Sequence, residues 1–310
     1  MSTPPPAVDR PVKITQVKAW VAEHPDVDPE VLAPYPKQRA AERRAALRAL
    51  GAIGTPAALD VLASYAKEEY SDVELEELHK MWGAFDRREF AARMFKPGAW
   101  RLNLGAVTSL EGVSAIENLT SLDLIFLGAA DLEPLGECTS LRRLSIISNI
   151  EPSITSVEPL TRLPELRVLT LSGVTRNADL SVLAGSPINE LKISLDGADG
   201  SFLLNLPNLS TVVISGGETV AEDRGPREKW EPTPVPAHEG LAAIVLELVC
   251  SGVQVAVYTH ESDWVADLRE EAEATDGIAV GVASGMLALT NDAATRDRLL
   301  SRLRINSIGS

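Results

Sequence analysis

The stretches LTSLDLI (119–125), LRRLSII (141–147), LRVLTLS (166–172), INELKIS (188–194) and LSTVVIS (209–215) carry one phrase, with an apolar residue at the first, fourth and sixth positions. Leu122, Leu144, Leu169, Leu191 and Val212 are its central members, and a degenerate copy at Leu102 and Leu104 precedes them. From each central member to the next the chain advances 20, 22, 25, 22 and 21 residues. Apolar positions two apart call for a strand with one buried face. A near-constant advance makes each strand a copy of the one before, and such copies stack because none can enclose its leucines alone. Between strands the apolar residues fall at every third position, as in Leu110, Val113, Ile116, Leu119 and in Val157, Leu160, Leu163, Leu166. That spacing suits a short 3₁₀ return on the convex side.

Phrase and period together resemble leucine-rich repeats, whose coils run to roughly 20–29 residues. The resemblance implies a solenoid of about six coils over residues 97–220, with parallel strands on its concave side. One departure is plain. The family's ninth position usually carries Asn, which satisfies backbone groups in the turn, yet here only Asn149 fits. Val107, Leu127, Val174, Asp196 and Gly217 hold the other places, so a continuous amide ladder is not expected.

Alternation along each strand sends three columns to the concave face. They read Arg101, Ser121, Arg143, Val168, Glu190, Thr211; then Asn103, Asp123, Ser145, Thr170, Lys192, Val213; then Gly105, Ile125, Ile147, Ser172, Ser194, Ser215. The candidate partner-binding residues are Asp123, Ile125, Arg143, Ser145, Ile147, Thr170, Glu190 and Lys192. Ile125 and Ile147 form an apolar anchor, and the four charged residues set orientation. The leucines themselves are core.

Flanking segments differ in pattern and in charge. Residues 1–96 carry net −1, residues 97–220 net −7 and residues 221–310 net −7. Residues 1–35 read as a flexible, Pro-rich lead. From 36 to 96 apolar residues recur at helical spacing, as in Ala46, Leu47, Leu50, Ile53 and Leu59, Leu62, Tyr65, Ala66. Between those runs Gly54 suits a helix end, Thr55 a cap and Pro56 a first turn. A second pair follows, Val73 to Phe85 and then Arg87 to Phe95 behind Asp86. Paired short helices around the phrase ALRALGAIGTP (46–56) resemble HEAT-type repeats. Met94, Phe95 and Trp100 are placed to seal these helices to the first coil. After a linker at 221–239, residues 240–305 alternate helix and strand, which argues a small α/β module with parallel strands that docks on the last coil or on a partner. The fold class expected is thus an α/β solenoid with a helical HEAT-like cap, short leucine-rich coils and a small C-terminal α/β module.

Composition narrows function. With 44 acidic against 29 basic residues the chain is formally −15 at pH 7, which opposes a nucleic-acid or anionic-membrane partner. The stretch from Leu241 to Cys250 is far short of the roughly 20 apolar residues that span a bilayer. No secretory leader is legible at Met1–Pro6. Cys138 and Cys250 lack metal or disulfide spacing, so a reducing, cytoplasmic setting is expected. Phosphate-loop, dinucleotide, nucleophile-elbow and metalloprotease motifs are missing. The best chemical candidate is Thr259-His260-Glu261-Ser262-Asp263 at the carboxyl end of a strand, although Ser262 or Asp263 equally suits a helix cap. Asp196-Gly197-Ala198-Asp199-Gly200 lacks the bidentate Glu of a calcium loop and reads as a turn. His24, His79 and His238 stand alone. No catalytic residue, cofactor or metal is expected.

Helical repeats of the Ala-Leu-Gly-Ala-Ile-Gly-Thr-Pro kind, continued by Leu78, Trp82 and Phe85-Asp86-Arg87-Arg88-Glu89-Phe90 and running into leucine-rich coils, resemble the C-terminal sensor region of bacterial NACHT-type (NLR-like) signalling ATPases. The resemblance covers roughly residues 36–220 and leaves out the ATPase. It implies a recognition role for a protein partner. The expected function is therefore non-enzymatic protein binding through the concave face. The alternative is an enzymatic or nucleotide-binding effector in residues 240–305 that the solenoid targets.

Overall fold

A computed structural model describes residues 10–67, 70–96, 100–104, 109–125, 131–147, 154–172, 178–195, 199–215, 240–258, 263–283 and 285–306. The chain forms two compact units, one of residues 1–104 with 111–119, the other of residues 105–110 with 120–310.

The first unit holds α1 (Ile14–Glu23), α2 (Ala40–Ile53), α3 (Pro56–Ala63), α4 (Asp72–Trp82), α5 (Arg87–Met94) and strand β1 (Trp100–Leu104). The α2–α3 corner follows the local chemistry of its residues. Gly54 ends α2 at φ +63, in the left-handed region open to a residue without Cβ. Thr55 then accepts a hydrogen bond from the Ala58 N–H, and Pro56 opens α3. Asp86 likewise accepts from the Glu89 N–H at 2.8 Å to start α5. Residues 10–35 differ from a flexible lead. They carry α1, packed on α2, and a 3₁₀ turn at Pro29–Leu32. Trp20 and Leu32 are buried, and the Tyr65 hydroxyl donates to the Leu32 carbonyl at 2.6 Å. Burial of those two apolar side chains outweighs the turn-forming prolines around them.

The first coil belongs to this helical unit. Its 3₁₀ turn, Val113–Ala115, packs on α5, and β1 packs on α4. Tyr70, Phe95 and Trp100 meet ring to ring, with centroids 5.2 to 5.9 Å apart. Met94 is fully buried beside them. The expected seal over the first leucines is thus present.

In the second unit β2 (Leu119–Ile125), β3 (Arg143–Ile147), β4 (Val168–Ser172), β5 (Glu190–Ser194) and β6 (Thr211–Ser215) form a parallel ladder. The phrase sets its register, since Leu122, Leu144, Leu169, Leu191 and Val212 are partners in turn. All five are buried. The returns are 3₁₀ turns at Glu133–Glu137, Glu158–Arg162, Leu180–Leu183 and Ser201–Asn205, each packed on the next. A polar side chain ahead of each one accepts from the N–H two residues on. Asp131, Ser156, Asp179 and Asp199 accept from the N–H groups of Glu133, Glu158, Ser181 and Ser201 at 2.8 to 3.2 Å. The ninth-position residues Val107, Leu127, Asn149, Val174, Asp196 and Gly217 lie outside the described residues.

The C-terminal segment is an α/β unit that docks on the last coil, but its strands are not all parallel. It contains α6 (Leu241–Cys250), β7 (Gln254–Tyr258), α7 (Asp263–Ala274), β8 (Ala279–Ala283), β9 (Met286–Thr290) and α8 (Ala293–Asn306). Strand β7 pairs in parallel with β6 and continues the ladder, while α6 packs on the last 3₁₀ turn. Beyond β7 the order is β9 and then β8, and both of those pairings are antiparallel. Only residues 284 and 285 join β8 to β9, too few for the crossover that parallel strands need. Gly285 turns the chain at φ +70.

Candidate functional site

The parallel register brings the sequence-predicted residues onto one face. Along the ladder Asp123 partners Ser145, Ser145 partners Thr170, and Thr170 partners Lys192. The adjacent row runs Ser121, Arg143, Val168, Glu190 and Thr211, and a third row begins with position 125 opposite Ile147. Neighbouring strands lie about 4.8 Å apart, so each row is a rigid line of side chains. Their opposite neighbours, Leu124, Ile146, Leu171 and Ile193, are fully buried and fix the strands from behind.

Exposure differs along the rows. Arg143 and Glu190 are exposed; Asp123, Ser145, Thr170 and Lys192 are half-buried. Ile147 is 38% exposed, unusual for an isoleucine on an ordered strand. The side chain of Ile125 lies outside the described residues, as do residues 259–262 with His260 and its neighbours, residues 196–198 of the candidate calcium loop, and His238 in the linker. Asp123 is the chemically tense member. Burial pushes its carboxyl above the usual 3.8, and the Arg143 guanidinium only partly opposes that. Ionised Asp123 would therefore gain from a cation or an N–H brought to it.

Two differences from the sequence-based columns emerge. Ser121 in the adjacent row and Ser172, Ser194 and Ser215 in the third are buried rather than open, with Ser194 and Ser215 hydroxyls 3.0 Å apart and Ser215 donating to the Ile193 carbonyl at 3.3 Å. Serine there satisfies its hydroxyl within the sheet. The second difference is α8, which packs on β8, β9 and β7. Its Leu299 joins Ala256, Met286 and Ala288 in a buried cluster, with Val213, Tyr258 and Leu300 at the margin. Val213 and Ala256 are register partners in the row of Asp123 and Lys192, so α8 covers that face of the sheet at its β6–β7 end. The open row ends at Lys192. Thr295, one helical turn before Leu299, accepts a hydrogen bond from the Arg298 guanidinium at 2.9 Å. The small Ala256 and Ala288 were the signal for a helix lying on that face, and their meaning depends on a strand order that the sequence does not display.

Residues 42–68 match the family described as PBS lyase HEAT-like repeat. The helical cap contains a HEAT-like repeat. That match covers α2, α3 and the turn after them. Among solved structures, an internalin from Listeria monocytogenes is similar to this chain at 24% identity and a TM-score of 0.29, over 38% of this chain and 35% of that chain. This chain thus spans about a third of that internalin's length. No curated protein matches. Among the described residues no cluster of three His, Cys, Asp or Glu side chains could hold a metal, and no helix is long and apolar enough to cross a membrane. Cys138 and Cys250 are free thiols, and burial pushes the Cys138 thiol up to about 12.

Proposed function

We propose that this chain is a non-enzymatic interaction protein that binds a protein partner on the concave face of β2 to β5, between the HEAT-like cap and α8 in chain order. The observation that carries this reading is the set of partly open rows on a rigid ladder: an exposed Ile147, charges of both signs at Arg143, Glu190 and Lys192, and a half-buried, under-compensated Asp123. An apolar anchor ringed by polar side chains on fixed elements suits shape-specific docking. Free thiols at both cysteines fit a reducing, cytoplasmic setting. A sensor role of the kind implied by the NACHT-type resemblance would use this same face.

Affinity purification from native lysate tests the reading, with wild type set against Arg143→Glu/Ile147→Glu and against Val182→Glu, a control at an exposed position on a 3₁₀ return. A protein retained by wild type and the control, and lost from the double variant with unchanged circular dichroism, supports docking on this face. Identical partners for all three chains overturn it.

A further inference from the structure

Strand β8 ends the sheet, and among the described residues no strand pairs along its outer side. Such an edge offers a row of backbone N–H and C=O groups, which proteins ordinarily blunt with charge, proline or a bulge. The five residues of β8, Ala279-Val280-Gly281-Val282-Ala283, contain no charge and no proline and pair with β9 without interruption. Every residue of β9 is buried, whereas Ala279, Val280 and Gly281 are half-buried and Val282 is 49% exposed, the most open large apolar side chain described.

The sequence of this edge reads the same in both directions about Gly281. We infer that β8 is a self-association edge, which pairs antiparallel with β8 of a second copy of this chain. A two-fold axis through Gly281 sets Val280 opposite Val282 of the second copy, Ala279 opposite Ala283, and glycine opposite glycine. Closed two-fold dimers are the commonest soluble assembly, and their interface must be self-complementary; this strand is. Both faces of the joint are prepared. Val280 and Val282 share a face with the buried Leu289 and Leu287, their partners in β9, so the cross-strand valine pairs extend an existing apolar layer. On the other face Leu300 and Arg296 of α8 lie over Gly281, where a Cβ would come within 2.8 Å of Leu300 Cδ1.

Charge gives the association a signature. A two-fold axis normal to the sheet keeps like faces together, so α7, with Asp267, Glu270, Glu271 and Glu273, approaches its own copy. Salt screens that repulsion, the screening length falling from about 30 Å at 0.01 M to about 8 Å at 0.15 M. Dimerisation therefore strengthens as salt is added.

Sedimentation of the full chain at tens of micromolar, in low and in high salt, tests this. The expected result is a dimer whose dissociation constant falls with salt and rises at least about tenfold in Val282→Lys, which sets a charge on the edge, with Val182→Lys unchanged. Hydrogen exchange gives a second readout, in which β8 amides slow with rising protein concentration in wild type only. A wild type that stays monomeric in high salt, or a dimer indifferent to Val282→Lys with β8 amides exchanging independently of concentration, overturns the inference.

Discussion

Glu77 keeps only 1% of its side-chain surface, yet it is held by two arginines of the neighbouring helix α2. Arg48 reaches it at 2.6 Å and Arg44 at 3.2 Å. Removing one partner of a buried pair strands the other's charge, but here both arginines are about a third exposed and can turn toward water. Glu77→Ala is therefore expected to cost about 2 kcal/mol, below the roughly 3–5 kcal/mol of a fully buried pair, read from the urea midpoint. Tyr70 poses the opposite case, a neutral group that must stay neutral. Its hydroxyl donates to the Met94 carbonyl at 2.6 Å, and burial raises its pKa from 10.0 to about 12. Between those values the folded chain holds a proton that the unfolded chain releases, so stability is intact below pH 10 and falls as pH rises toward 12. Thermal melts across that range should show the loss in wild type and a shallower one in Tyr70→Phe.

At the scale of elements, the strands and the α2–α3 corner were legible because each rests on its own residues. The leucine alternation fixed β2 to β6 to within a residue or two, and Gly54-Thr55-Pro56 wrote a helix end, a cap and a helix start in succession. The candidate face was legible for the same reason, since alternation places Asp123, Arg143, Ser145, Thr170, Glu190 and Lys192 once the register is known. What escaped depended on partners distant in sequence. Helix α1 is stabilised by burying Trp20 and Val17, and α8 lies on the sheet face of Asp123 and Lys192 because Ala256 and Ala288, thirty-two positions apart, meet in the sheet. Gly112 belongs to this second kind. At φ +84, with the place of a Cβ only 2.5 Å from the Arg87 carbonyl oxygen, it lets the first 3₁₀ turn approach α5 backbone to backbone. That oxygen is backbone and not a flexible side-chain end, so Gly112→Ala meets both a left-handed backbone and a fixed obstacle. A loss of at least about 2 kcal/mol is expected, while Gly185→Ala, at φ +80 with nothing within 4 Å, should lose only the conformational part.

For the molecule as a whole, the sharing of one sheet by the coils and the C-terminal segment decides what can fold alone. A repeat array needs its terminal apolar surfaces covered. Here the cover is built by continuation: β7 completes the hydrogen bonds of β6, α6 covers the last 3₁₀ turn, and α8 reaches Val213. Each of those contacts serves both sides of the join. Cut at the linker, residues 240–306 would expose the β6-facing edge of β7 and the apolar side of α6 that Leu241 turns toward Gly200. At under seventy residues such a fragment is marginal even with an intact core. The isolated fragment is therefore expected to lack a cooperative thermal transition by circular dichroism, and to regain one when joined behind residues 10–215 through the native linker. Cooperative melting of the fragment alone, with the dispersed amide spectrum of a packed domain, would mean instead that β7, β9 and β8 form a self-sufficient sheet and that its junction with β6 is a docking contact.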